Sequence, residues 1–124
     1  MDRDAFQRWL DDYVEAWRTY DAEAIRTLFG ERAEYRYHPW DEPVAGRDAI
    51  VESWLGDQDV PGSWDANYEP WAIDGDRAVA TGISRYFGPD GETVEREYHN
   101  VFLCRFDEDG RCAEFTELFL RRSD

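Results

Sequence analysis

Apolar residues at Phe6, Trp9, Leu10, Tyr13, Val14 and Trp17 recur every three or four positions, with charged residues between them. That period lays one apolar stripe along a helix, and Asp2 or Asp4 offers the side-chain oxygen that caps its start. A second helix is expected from Asp21, burying Ile25, Leu28 and Phe29 and stopping at Gly30, with almost no link to the first. Glu34 to His38 alternates, with Tyr35 and Tyr37 on one side and Arg36 and His38 on the other, which predicts a short strand closed by Pro39. The two prolines of Pro39–Pro43 exclude regular structure, because neither can donate a backbone hydrogen bond. After Gly46, the run Asp48 to Leu55 predicts a third helix closed by Gly56, followed by a polar loop over 57–63.

Beyond residue 64 the period changes to two. Trp64 to Ile73, Arg77 to Phe87, Thr93 to Phe106 and Arg111 to Arg121 read as strands separated by Gly-containing turns. Pro70 assigns the first of these to an edge or a bulge. Helices followed by an antiparallel meander make the α+β pattern. With 124 residues, no linker and no internal repeat, residues 1–124 are expected to form one domain.

Composition narrows the function classes. Six Trp, seven Tyr and seven Phe supply a large core, while 29 acidic against 14 basic residues give a net charge of −15. Such a surface repels phosphate backbones and anionic lipid, so neither nucleic acid nor membrane is an expected partner. No run approaches the ~18 apolar residues of a membrane span. Met1-Asp2-Arg3-Asp4 lacks the basic and apolar regions of a signal peptide, and a cytoplasmic location is expected. Cys104 and Cys112 are too few for a disulfide framework, and the expected hairpin register turns them to opposite faces. No phosphate loop, nucleophile elbow or dinucleotide fingerprint occurs, so no cofactor is expected. His38, His99 and Glu117 lack close ligand spacing, so no metal is expected either.

Several segments carry a resemblance over nearly the whole chain. They are Tyr-Val-Glu-Ala-Trp (13–17), Asp-Ala-Glu-Ala-Ile-Arg-Thr-Leu-Phe (21–29), Gly-Arg-Asp-Ala-Ile (46–50), Arg-Phe-Asp-Glu-Asp-Gly-Arg (105–111) and Glu-Phe-Thr-Glu (114–117). In this order the chain resembles the nuclear transport factor 2-like (SnoaL-like) superfamily, which includes ketosteroid isomerases, dehydratases, polyketide cyclases and non-catalytic adaptors. The resemblance implies three N-terminal helices packed on a strongly curved, mainly antiparallel sheet around an internal pocket, with the chemistry left open. Laid against the ketosteroid isomerase pattern, Tyr13 falls at the oxyanion-holding tyrosine and His38 at the carboxylate base. Trp54 falls at a supporting tyrosine, and Phe102 at the second oxyanion donor. Two essential groups are therefore replaced.

His38 is the acid–base candidate, since an imidazole exchanges protons near neutral pH; the other reading is a histidine bonded at a strand end. Alternation leaves both faces of the strand 93–106 mixed. The resemblance selects Tyr98, Asn100 and Phe102 as concave, together with Phe115, Glu117 and Phe119 on the last strand and Ile83 and Arg85 on the 77–87 strand. Arg85 and Glu117 would then pair, either to orient a substrate or as a structural ion pair. Trp17 and Trp54 are expected among the aromatic walls. The expected function is a cofactor-independent enzyme of the isomerase, cyclase, dehydratase or hydrolase type, acting on a small, mostly apolar or aromatic molecule by His38 acid–base chemistry, with Tyr13 or Arg85 polarising an oxygen. The alternatives are a non-catalytic ligand-binding domain and a protein-interaction module. The resemblance also implies a homodimer through the outer sheet face, where Val101, Leu103, Leu118 and Leu120 would lie.

Overall fold

The computed structural model describes residues 1–123. Helix α1 (Arg3–Thr19) starts where the Asp2 side chain accepts the backbone N–H of Ala5 at 2.8 Å, and it buries Phe6, Trp9, Leu10, Tyr13 and Ala16. It ends at Tyr20, whose left-handed φ of 51° turns the chain at once into α2 (Ala22–Leu28), capped by Asp21. Strand β1 (Phe29–Arg36) follows with no intervening loop, then the two-residue β2 (Val44–Ala45) and α3 (Arg47–Gly56).

Gly30 is therefore inside a strand and does not stop the second helix. A Cβ there would stand 2.7 Å from Asp107 Oδ2, so the glycine admits the β-turn that packs beside it. The strand β2 escaped the periodicity reading because two residues carry no period.

Strands β3 (Trp64–Asp74), β4 (Arg77–Phe87), β5 (Val94–Phe106) and β6 (Cys112–Arg121) form the meander. The six strands run in the order β2-β1-β6-β5-β4-β3, antiparallel throughout except where β1 lies parallel to β6. The sheet is curled but open. Strand β3 forms one edge, and its ladder slips between Pro70 and Ala72, as a proline without an N–H requires.

A second irregularity lies between Arg105 and Phe106, which places Phe106 opposite Cys112 and Cys104 opposite Phe115. This bulge corrects the expectation for the cysteines: both are buried, unbridged and near enough to interact, because the extra residue returns Cys112 to the inner face. Helix α1 lies against the concave side, where Phe6, Trp9, Phe29, Phe106 and Phe115 pack ring to ring at 5.4–6.4 Å between centres.

Candidate functional site

Along each element that faces inward, the side chains change character halfway. Strand β5 presents Phe106, Cys104 and Phe102 and then Asn100; β6 presents Phe115 and then Glu117; β4 presents Ala78 and Ala80 and then Ser84 and Tyr86. Helix α1 changes likewise from Phe6 and Leu10 to Tyr13 and Trp17. The first set fills its end of the fold. The second surrounds a cavity of about 270 Å³, close to the lower limit of roughly 300 Å³ typical of small-molecule sites.

Six of the seven tyrosines line this cavity, all but Tyr98. Trp17 and Trp54 complete the aromatic wall, and the polar groups are Ser53, Ser84, Asn100, Asp57, Asp59 and Glu117. Burial holds the phenols of Tyr13, Tyr35, Tyr68 and Tyr86 well above their ordinary pKa, so they remain protonated donors. The hydroxyls of Tyr13 and Tyr35 meet at 3.0 Å. One proton serves that bond, which leaves the other free to point at a ligand. Tyr37 pairs with Ser53 at 2.7 Å.

A chain of three side chains crosses the strands at the floor. Ser84 Oγ donates to Asn100 Oδ1 at 3.0 Å, and Asn100 Nδ2 donates to Glu117 Oε1 at 3.3 Å. Burial pushes the Glu117 carboxyl up to about 7, opposed by the Asn100 hydrogen bond and by the charge of His38. At neutral pH this group is poised to give or take a proton. The loop after α3 joins the wall, where Trp17 Nε1 donates to Asp59 Oδ2 at 2.9 Å and the Asp59 N–H donates to Tyr20 Oη at 2.8 Å.

Of the residues expected from the sequence, Tyr13, Trp17, Trp54, Asn100 and Glu117 meet around the cavity. Phe102 and Phe115 lie beneath it in the packed core, and Phe102 sits 4.5 Å from the Tyr68 ring. Tyr98 and Phe119 contact each other at the rim, 5.5 Å between rings. His38 is not part of the cavity wall. Its Nδ1 bonds Asp41 Oδ2 at 2.8 Å, and its ring stacks on the exposed Trp40 and touches Phe119.

Arg85 and Ile83 lie on the convex face, because Arg85 stands opposite Glu97 and Ser84 opposite Tyr98. Arg85 Nε donates to Glu97 Oε1 at 2.9 Å, so its ion-pair partner is Glu97 and not Glu117. His99 bonds the same carboxylate at 3.1 Å, which separates it from His38 and Glu117. The parity of β4 is inverted relative to the expectation because the crowded concave side takes Ala78, Ala80, Gly82 and Ser84. The larger Val79, Thr81 and Ile83 are left outside.

Tyr20, Tyr35, Tyr37 and Tyr86 join the wall without a sequence pattern that marks them as site residues, whereas Tyr68 is among the aromatics expected to line the cavity. The available signal was that Tyr is as frequent as Phe, at seven each, although a filled core favours Phe when hydroxyls find no partner.

The SnoaL-like domain family matches residues 10–115 of the chain. No curated protein matches the sequence. Among solved structures, a candidate ketosteroid isomerase from Kribbella flavida DSM 17836 superposes with a TM-score of 0.72 at 15% identity, over 99% of this chain and 83% of that one. An NTF-2 like protein of unknown function from Burkholderia xenovorans LB400 superposes with a TM-score of 0.73 at 16% identity, over 98% and 87%. At these identities the likeness is one of fold.

Proposed function

The chain belongs to the SnoaL-like domain family, and we propose that it is a cofactor-independent pocket enzyme that moves a proton on a small, ring-containing molecule. The observation that carries this reading is Glu117, a carboxyl with a pKa of about 7 facing a tyrosine-lined cavity. Isomerisation, cyclisation and dehydration share a proton transfer at a carbon beside an oxygen-bearing centre. Glu117 supplies the acid–base group, and the Tyr13–Tyr35 pair supplies the hydrogen bond that stabilises charge developing on the oxygen. His38 then has a tuning role, since its charge acts on Glu117 from the rim.

The reading is tested by following protein-dependent exchange of α-hydrogens of small cyclic and aromatic ketones into D₂O by NMR. Glu117→Gln should slow exchange by about 10²-fold or more, and His38→Ala by only a few-fold. Loss of exchange in His38→Ala with activity retained in Glu117→Gln would reverse the assignment. Binding of the ketones without exchange in the unaltered protein would favour a ligand-binding domain.

We also propose a homodimer through the convex face. Val101, Leu103, Leu118 and Leu120 are exposed there on adjacent strands, an unusual apolar surface for a chain of net charge −15. Light scattering at micromolar concentration should report a dimer that Leu103→Glu converts to monomer. A monomeric unaltered protein would refute the proposal.

A further inference from the structure

Eight aromatic rings and three carboxylates face the cavity, and none of the lining side chains is an Arg, Lys or His. A neutral ring-shaped ligand would match the aromatic walls and bring no positive charge to the three acidic groups. A cation answers both features, because aromatic faces carry the negative part of the ring quadrupole and the carboxylates add full charge. Building on the pocket reading above, we propose that the ligand of this cavity carries a protonated or quaternary amine.

The rim already holds a cation in this manner. The Arg96 guanidinium lies 4.4 Å from the Tyr86 ring centre and 5.8 Å from that of Tyr98. Trp54 contributes its ring to the wall, while its Nε1 is buried away from the cavity. Tyr13 from α1, Tyr35 from β1, Tyr68 from β3 and Tyr86 from β4 share the cavity with Glu117 as protonated phenols, and none is a counterion. The carboxyl rises because desolvation outweighs the partial relief from Asn100 and His38. A bound amine would supply the missing positive charge and return Glu117 to its ionised form.

Two pairs of shape-matched probes separate charge from fit: choline against 3,3-dimethylbutan-1-ol, and 2-phenylethylamine against 2-phenylethanol. Binding to the full chain is read by calorimetry and by quenching of tryptophan fluorescence. The measurements are made at about 1 M salt, where the Debye length of about 3 Å screens the acidic surface. In at least one pair the cation should bind about tenfold tighter than its neutral partner. Glu117→Gln should remove several-fold of that preference, while the surface change Asp12→Asn should not alter it. Neutral probes binding as tightly as the cations in both pairs would overturn this inference and leave the pocket reading standing. No binding by any of the four would overturn both.

Discussion

The two ends of the curled sheet follow one geometric rule and reach opposite results. Each strand alternates in the same way, and each turns every second side chain toward α1. At one end those side chains are Phe29, Phe106 and Phe115, which with Phe6 of α1 are each at 0–3% exposure and fill the space. At the other end they are Tyr35, Asn100 and Glu117, which with Tyr13 of α1 leave a cavity. One end is therefore organised by close packing, whereas the other keeps polar groups that packing alone would reject. Holding a carboxyl there opposes stability, a common feature of sites shaped by function.

The largest expected effect lies at the filled end. Phe115→Ala should cost about 3–5 kcal/mol in urea unfolding, because the ring contacts Tyr13, Tyr35 and Phe102 and cannot be replaced by collapse. A loss under about 1 kcal/mol would erase the distinction between the ends.

Glu117→Gln should act in the opposite direction. The folded carboxyl has its pKa raised from 4.5 to about 7, so between those values the folded state holds a proton that the unfolded chain has released. The neutral carboxyl's contribution is complete below about pH 4.5 and is lost as pH rises through about 7. The variant should therefore match the unaltered protein near pH 4.5 and exceed it at pH 8 by up to about 3 kcal/mol, compared by thermal melts across pH. An unchanged difference between the two proteins across that range would show that Glu117 is not desolvated.

A smaller effect is expected at the boundary between the ends. Gly82 of β4 stands opposite Tyr68 of β3, and a Cβ there would come within 2.1 Å of Asn67 O and 2.4 Å of Tyr68 Cδ1. Gly82→Ala should cost about 1–3 kcal/mol and shift the tyrosine ring, visible as altered quenching of the cavity tryptophans. An alanine accepted without cost would mean that β3 does not press on β4 at this point.

The fold was legible in the sequence because it rests on periods. A 3.6-residue stripe in residues 6–17 and a two-residue alternation over four segments required the α+β order, and the strand limits agree within about one residue for β4, β5 and β6. The candidate site was legible only in part. Tyr13, Asn100 and Glu117, which meet at the cavity, follow from the family resemblance alone, because alternation leaves both faces of the strands mixed. Arg85 was misplaced because both faces of β4 carry mixed residues, and neither hydrophobicity nor charge marks the inner one. His38 was weighted by its chemistry, an imidazole near neutral pH, whereas the three-dimensional arrangement gives Asp41 its nitrogen and Trp40 its face.

What the sequence determined by itself is which segments are helix and which are strand, since these follow from local spacing, caps and turn residues. Tertiary structure decided which side of each strand faces α1, and therefore which polar groups lose water. That is a property of register and curvature between segments far apart in the chain. The raised pKa of Glu117 follows from it: the same Glu on the convex face, like Glu114 beside Arg105, would remain in contact with solvent and a cation.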